Sequence, residues 1–195
     1  MTDLKEYHFP IETFMGAWFM PEKICDDMIN YFNNNKDKWI EGAIGTDHRI
    51  DKNVKDSFDI SISRKNDEEP LKTYKNYLDK IFKLYQKKYP ELKVYQPWDI
   101  TDRYNIQYYK PKGGFKTWHS ERMSGENRLL VFMTYLNTVK DGGTAFKYQQ
   151  LVAPAEKGLT LIWPSDWTHT HKGVVSETSE KYIVTGWTGF KKNEF

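Results

Sequence analysis

Two stretches in the first half of the chain repeat apolar residues at helical spacing. The first begins at Pro21 and ends at the asparagines 33–35, and the second begins near Pro70 and stops before Pro90. The apolar positions are Ile24, Met28, Tyr31 and Phe32 in the first stretch and Leu71, Tyr74, Leu78, Ile81, Phe82 and Tyr85 in the second. This i, i+3, i+4, i+7 pattern predicts two amphipathic helices that bury one face in a core.

The second half reads as short strands separated by turn signals. After Pro97 the predicted strands are 104–109, 128–136, 144–148, 158–163 and 181–188, with turns at 111–114 and 141–143. One further strand, 57–63, is predicted between the two helices. Many strands without intervening helices favour a sandwich or barrel. With 195 residues, we expect one domain (1–195) of the mainly β, α+β class. Its helix-containing part, about 1–95, would pack on a β-rich core of about 96–195.

The segment 42–55 is rich in glycine, aspartate, lysine and asparagine. Such a stretch between predicted elements is either a mobile lid or an ordinary surface loop, and the sequence leaves both open.

Composition narrows the class of protein. Aromatic residues make up 16% of the chain, whereas disordered chains are poor in them, so we expect a folded protein. The 29 basic and 27 acidic residues are interleaved, so we expect no nucleic-acid partner.

The single cysteine, Cys25, excludes an internal disulfide and a multi-cysteine zinc site, and we expect a buried thiol. No apolar run approaches a membrane span, and the run 14–20 lacks a basic leader, so we expect a cytoplasmic protein without membrane contact.

The first candidate for chemistry is His119-Ser120-Glu121. Residues i and i+2 of a strand share a face, so we expect this imidazole and carboxylate to lie on one strand and to converge on a metal ion. A further histidine about fifty residues later, His169 or His171, would complete a set of two imidazoles and one carboxylate, and strand alternation does not choose between them. That set suits non-haem Fe(II) with open coordination positions. Lys181, at the start of a predicted strand, could anchor an anionic co-substrate.

These motifs resemble the 2-oxoglutarate-dependent Fe(II) dioxygenases, specifically their prolyl 4-hydroxylase-like branch. That family carries His-x-Asp, a distal histidine and a lysine ten residues after it, and His119, Glu121, His171 and Lys181 fall in this pattern. The ten-residue spacing selects His171 over His169. Further matches, in order along the chain, are Tyr109, Arg128, Tyr135 and Trp187. The resemblance covers about residues 100–190 and departs from the family at Glu121, where the longer side chain moves the carboxylate outward.

The resemblance implies a double-stranded β-helix (jelly-roll) core and a set of roles. His119, Glu121 and His171 would hold Fe(II), and 2-oxoglutarate would chelate it and pair with Lys181. Tyr109 and Tyr135 would be hydroxyl partners of the co-substrate, and Arg128 and Trp187 would contact substrate. The cofactors implied are Fe(II), 2-oxoglutarate and O2, with ascorbate as a further candidate.

The implied reaction is hydroxylation of prolyl residues in a peptide or protein. One alternative is hydroxylation of a free amino acid or another small metabolite, since no separate peptide-binding domain is visible. The other is a jelly-roll protein that binds a metal or ligand without turnover, because this scaffold hosts many roles.

Overall fold

The computed structural model describes residues 4–45, 47–94, 97–122 and 126–191. Within them lie two α-helices, four short 3₁₀ helices and twelve strands. The helices are α1 (Glu22–Asn34) and α2 (Leu71–Lys88). The strands are β1 (Gly16–Phe19), β2 (Ile40–Glu41), β3 (Lys55–Asp56), β4 (Phe58–Ser63), β5 (Trp98–Tyr109), β6 (Gly114–Phe115), β7 (Leu130–Tyr135), β8 (Val139–Phe146), β9 (Leu151–Ala155), β10 (Leu159–Pro164), β11 (His171–Gly173) and β12 (Lys181–Phe190).

Both predicted helices are present and begin directly after a proline. Pro21 precedes α1 and Pro70 precedes α2, where the missing N–H costs no intrahelical bond. Every residue of the two predicted apolar stripes is buried. Cys25, on α1, is buried too, and burial raises the pKa of its thiol to about 12, in agreement with an inert packed side chain.

The strands form two antiparallel sheets that face each other, and a two-stranded ribbon, β3 with β6. The larger sheet has the order β1-β10-β7-β12-β5-β4-β2, and the smaller has the order β11-β8-β9. Alternation along β7 separates two cores: Leu130 and Phe132 pack with the helices, whereas Val131 and Met133 pack toward the smaller sheet. This architecture confirms the expected jelly-roll core, with the helices covering its outer face.

The turn predicted at residues 141–143 is wrong. Asp141, Gly142 and Gly143 lie inside β8, and the irregularity there is a shift in the register of β8 with β9 between Val139 and Thr144. Glycine and aspartate favour turns, but here the register shift needs the positive φ of 110° at Gly143.

Six of the twelve strands were missed in the sequence, and four of these, β2, β3, β6 and β11, have only two or three residues. The other two are β1 and β9. β1 consists of a short apolar run without alternation, and β9 contains Pro154. Proline removes a ladder donor, but β9 is an edge strand of the smaller sheet, where such a loss is tolerated.

Candidate active site

Three side chains converge between the sheets: His119, Glu121 and His171. Glu121 Oε1 lies 3.4 Å from His119 Nε2 and 3.4 Å from His171 Nε2. The three ligand atoms all lie within 4.8 Å of one another. Two imidazole nitrogens and one carboxylate oxygen at this separation are a donor set that fits one divalent cation of the Fe(II) type.

The segment carrying His119 is not a strand, contrary to the expectation. His119 forms an isolated bridge with His171, in which the His119 N–H donates to the His171 carbonyl at 2.9 Å and the reverse bond is 2.8 Å. Glu121 follows in irregular backbone, where its N–H donates to the Ser165 carbonyl at 3.1 Å. The main chain therefore places the three side chains together without strand alternation.

The tautomer of each imidazole follows from its second nitrogen. His119 Nδ1 lies 3.0 Å from the Thr117 carbonyl, and His171 Nδ1 lies 2.9 Å from the His169 carbonyl. A carbonyl only accepts, so Nδ1 carries the proton in both rings. Each Nε2 is thereby left with a lone pair directed at the cluster, which is how metal-binding histidines are usually oriented.

Glu121 is held ionised. Burial would raise the pKa of its carboxyl, but the hydrogen bonds and positive charge that the His119 and His171 rings supply in their doubly protonated form outweigh burial and bring the pKa well below its usual range. The carboxylate is therefore available as a ligand at neutral pH.

His169 is turned away from this cluster. Its Nε2 lies 2.8 Å from the Thr13 carbonyl and its Nδ1 lies 3.0 Å from Thr168 Oγ1, so both ring nitrogens are engaged elsewhere. Burial lowers the pKa of His169, which keeps the ring neutral. Of the two histidines between which alternation could not choose, the structure brings His171 to the cluster.

Lys181 is buried in the same cavity. It begins β12, opposite Tyr109 on β5, and Nζ donates to the Val174 carbonyl at 2.9 Å. Burial lowers the pKa of Lys181 to about 8, partly offset by Asp141. Among the residues that the structure describes, no carboxylate lies within ion-pair distance of Nζ. A buried cation without an acidic partner is suited to receive an anion.

The two predicted tyrosines also line the cavity, each with its hydroxyl engaged. Tyr109 donates to Gln107 Oε1 at 2.7 Å, and the Tyr135 hydroxyl lies 2.7 Å from Thr144 Oγ1. The structure thus brings both residues to the site, and their role toward a co-substrate stays a prediction.

Arg128 and Trp187 meet at Glu121. Trp187 Nε1 donates to Glu121 Oε2 at 3.0 Å, and the Arg128 guanidinium lies 3.9 Å from the centre of the Trp187 indole. Arg128 also donates to the Glu121 carbonyl at 2.6 Å. Contact of these two side chains with substrate stays a prediction.

The cavity that holds these residues has a volume of about 600 Å³ and is lined in part by the polar segment 42–55. Ala43, Ile44, Arg49 and Val54 of that segment contribute to its wall. Thr46 lies outside the described residues. Whether the segment closes over the site stays a prediction.

A buried polar network beside the cavity was missed in the sequence. Lys55 Nζ lies 2.6 Å from Asp59 Oδ2, and Ser57 and Gln107 donate to the same carboxylate. The alternation of β4 predicted a polar face but did not indicate that this face points into a cavity. A single-sequence signal does not distinguish a solvated polar face from an interior one.

Comparison with known proteins finds one family model and several solved structures that are similar to this chain. Residues 104–189 match the model of the 2OG-Fe(II) oxygenase superfamily. The human prolyl 4-hydroxylase subunit alpha-3 is 32% identical over an alignment of 82 residues, which covers 38% of this chain and only 15% of that relative.

Solved structures share the fold at low identity. A prolyl-4-hydroxylase from Pseudomonas putida superposes with a TM-score of 0.68 at 15% identity, covering 91% of this chain and 93% of that one. The viral collagen prolyl hydroxylase of Paramecium bursaria chlorella virus-1, solved as a 2OG complex, gives 0.65 at 14% identity over 91% and 97%. The Trichoplax adhaerens prolyl hydroxylase, solved with a hypoxia-inducible-factor peptide, gives 0.68 at 11% identity over 91% and 84%.

The match covers the strands that carry Tyr109, His171, Lys181 and Trp187, and the resemblance inferred from the motifs is confirmed. Residues 104–189 are thus similar to the 2OG-Fe(II) oxygenase superfamily, whose model they match.

Proposed function

We propose that this protein is an Fe(II)- and 2-oxoglutarate-dependent dioxygenase that hydroxylates prolyl residues in a peptide or protein. The observation that carries the proposal is the convergence of His119, Glu121 and His171 in one cavity with Lys181. The family match and the prolyl hydroxylases that share the fold support it.

Three donors from this chain would hold the metal: Nε2 of His119, Nε2 of His171 and Oε1 of Glu121. Lys181 would pair with the remote carboxylate of 2-oxoglutarate, because it is a buried cation in the same cavity. Tyr109 and Tyr135 lie where their hydroxyls could contact that co-substrate. When bound, Fe(II) and 2-oxoglutarate supply the activation of O2 that inserts one oxygen atom into a substrate C–H bond, while 2-oxoglutarate loses CO2 and becomes succinate.

The helical part of the chain and the β-rich core act, in this proposal, as one catalytic domain. Both helices pack on the outer face of the larger sheet, and residues of the segment 42–55 line the same cavity as His171 and Lys181. Among the described residues, neither helix has the length and apolar character needed to cross a bilayer.

One feature of the cavity also suits a second substrate class, a polar small molecule such as a free amino acid. Its wall beyond Glu121 carries polar side chains from three neighbouring strands: Ser61, Arg103, Asn105 and Thr185. Arg103 Nε donates to Ser61 Oγ at 2.8 Å, which fixes the guanidinium at this wall. Such a wall can bind either the main chain of a peptide or the charged ends of a metabolite.

The deciding experiment is mass spectrometry of substrates incubated with protein, Fe(II), 2-oxoglutarate, ascorbate and ¹⁸O₂. We expect proline-rich peptides to gain one labelled oxygen on proline and matched alanine-substituted peptides to gain none, with His171→Ala as the inactive protein control. Labelling of free amino acids alone would select the second substrate class. Succinate formation absent with every substrate would contradict the proposed activity and favour a binding protein without turnover.

A further inference from the structure

The two carboxylate oxygens of Glu121 face different partners. Oε1 is equidistant, at 3.4 Å, from the Nε2 atoms of His119 and His171. Oε2 points away from them and accepts a hydrogen bond of 3.0 Å from the indole Nε1 of Trp187. One oxygen therefore faces the proposed metal position, and the other is occupied by a protein donor.

Trp187 is itself fixed by the sheet and by Arg128. Its main chain is paired with Val131 on β7, and the pairing of β12 with β5 shifts register between Gly186 and Thr188, immediately around it. Irregularities of this kind redirect a side chain relative to a regular strand. The guanidinium of Arg128 lies 3.9 Å from the indole centre and covers its face.

Arg128 also ties the indole to the main chain of Glu121. Arg128 Nη1 donates to the Glu121 carbonyl at 2.6 Å, and the same nitrogen lies 3.6 Å from Glu121 Oε2. On the other side of the guanidinium, Nη2 pairs with Glu126 at 3.0 Å. The planar guanidinium thus contacts both the Trp187 indole and Glu121, whose carboxylate accepts the hydrogen bond of that indole.

A glutamate at this position needs such a restraint. Glutamate has one more rotatable bond than aspartate, so its carboxylate has more freedom to rotate and to offer both oxygens to a metal. Carboxylates bind cations through one oxygen or through two. Binding through two would take one of the positions that the proposed chemistry leaves open for co-substrate and O2.

We propose that Trp187, supported by Arg128, is a positioning residue that holds the Glu121 carboxylate with Oε1 directed at the proposed metal position. The inference rests on the proposed metal site and deepens it by explaining how the chain accommodates glutamate where its family carries aspartate. It is independent of which substrate is hydroxylated.

The test measures the affinity of the full chain for Mn²⁺ alone, without 2-oxoglutarate. Trp187→Phe keeps the ring against Arg128 and removes the N–H, and we expect about a 10- to 100-fold loss of Mn²⁺ affinity, as for other outer partners of metal ligands. The matched control is Trp167→Phe, the same change at a residue that is 69% exposed, which should leave the affinity unchanged.

The background Glu121→Asp separates positioning from a general structural effect. The shorter side chain withdraws its carboxylate from the indole, so Trp187→Phe should cost much less in Mn²⁺ affinity there than in the unmutated protein. An equal loss in both backgrounds, or no loss in the unmutated background, would overturn the inference.

A second measurement does not require Trp187→Phe to fold. The indole ¹H–¹⁵N resonance of Trp187 should lie downfield in the unmutated protein and move upfield in Glu121→Asp, while that of Trp167 stays in place. An unmoved Trp187 resonance would contradict the hydrogen bond.

The outcomes also separate this inference from the proposed function. Hydroxylated peptide together with unchanged Mn²⁺ affinity in Trp187→Phe would overturn the inference alone. The expected affinity pattern without any oxygenated product would leave the inference standing and contradict the dioxygenase. Absence of Mn²⁺ binding to the unmutated protein would overturn both.

Discussion

His119 and His171 exchange two main-chain hydrogen bonds, although 52 positions separate them in the numbering. Their ring centres lie 4.4 Å apart as a result. Phe115 stacks on the His119 ring at 3.7 Å, and Trp163 meets the His171 ring edge-on at 5.1 Å. The backbone bridge and the flanking aromatic rings therefore set the spacing of the two imidazoles before any metal is bound.

Replacing the two neighbouring histidines should separate ligand from structural roles. We expect His171→Ala to abolish Mn²⁺ binding, because it removes one of three converging donors. His169→Ala should retain Mn²⁺ binding and lower the melting temperature, because it leaves the buried Thr13 carbonyl without its donor. Titration calorimetry and thermal unfolding of both variants are the measurements. Metal binding kept in His171→Ala but lost in His169→Ala would reassign the ligand.

Lys181 should make co-substrate affinity depend on pH. Its pKa is about 8 in the free protein, so it loses its charge as the pH rises through 8. The charged groups and ring facing it are Asp141 and Tyr109, and burial keeps the pKa of Tyr109 well above its usual value, so that phenol stays neutral. Because the co-substrate carboxylate favours the charged lysine, the dissociation constant should be flat below pH 8 and rise about tenfold per pH unit above it.

The controls for this pH dependence are two variants of Lys181. Lys181→Arg stays charged throughout and should lack the rise in the dissociation constant above pH 8. Lys181→Ala should weaken 2-oxoglutarate binding by at least about tenfold at neutral pH, since a hydrogen bond to a charged group contributes about 1.5–3 kcal/mol. Calorimetry on either side of pH 8 measures both effects, and an identical pH profile for Lys181→Arg would assign the titration to another group.

Much of the fold could be predicted from the sequence, because the hydrophobic periodicity of these segments agrees with the helix-starting and turn-forming residues at their ends. The stripes of α1 and α2 follow prolines 21 and 70, and strands such as β7 and β10 are buried on both faces and read as apolar runs. The strand β9 and the bulge of β8 could not be predicted. Pro154 in β9 and the paired glycines in β8 both indicate turns as long as the neighbouring strand is unknown.

The sequence predicted which residues form the candidate site, but it did not predict the contacts between them. Spacing brought His119, Glu121 and His171 together, but it gave no sign that Trp187 and Arg128 would meet Glu121, because side-chain hydrogen bonds between distant strands depend on register. The interior position of Asp59 depends on tertiary packing in the same way.

Removing one partner of the buried ion pair between Lys55 and Asp59 should strongly destabilise the protein. Both side chains are only 7% exposed, so Lys55→Met leaves a carboxylate buried with its neutral donors alone. We expect a loss of about 3 kcal/mol or more in the free energy of unfolding, the usual result of removing one member of a buried pair. Urea denaturation with an unchanged slope measures it. The matched control is Lys23→Met, which breaks the exposed pair with Asp27 and should have little effect; equal losses would contradict a special role for the buried pair.

Gly143 lies at the bulge of β8, directly before Thr144 on the cavity wall. Its φ is +110°, and an added Cβ would overlap the main-chain carbonyl of Ala153 on β9, which cannot move aside as a flexible side chain could. Gly143→Ala should therefore destabilise the protein by at least about 1–3 kcal/mol, the cost of such a backbone strain. The next residue, Thr144, lies 2.7 Å from the Tyr135 hydroxyl, and both side chains line the cavity. A shift of β8 would move them, so 2-oxoglutarate affinity should fall as well.

The control is Gly114→Ala, whose nearest obstacle is a side-chain methyl of Val175 at 3.0 Å. Thermal unfolding and calorimetry of the two variants check this, and comparable behaviour of both would show that β8 tolerates a side chain at its bulge.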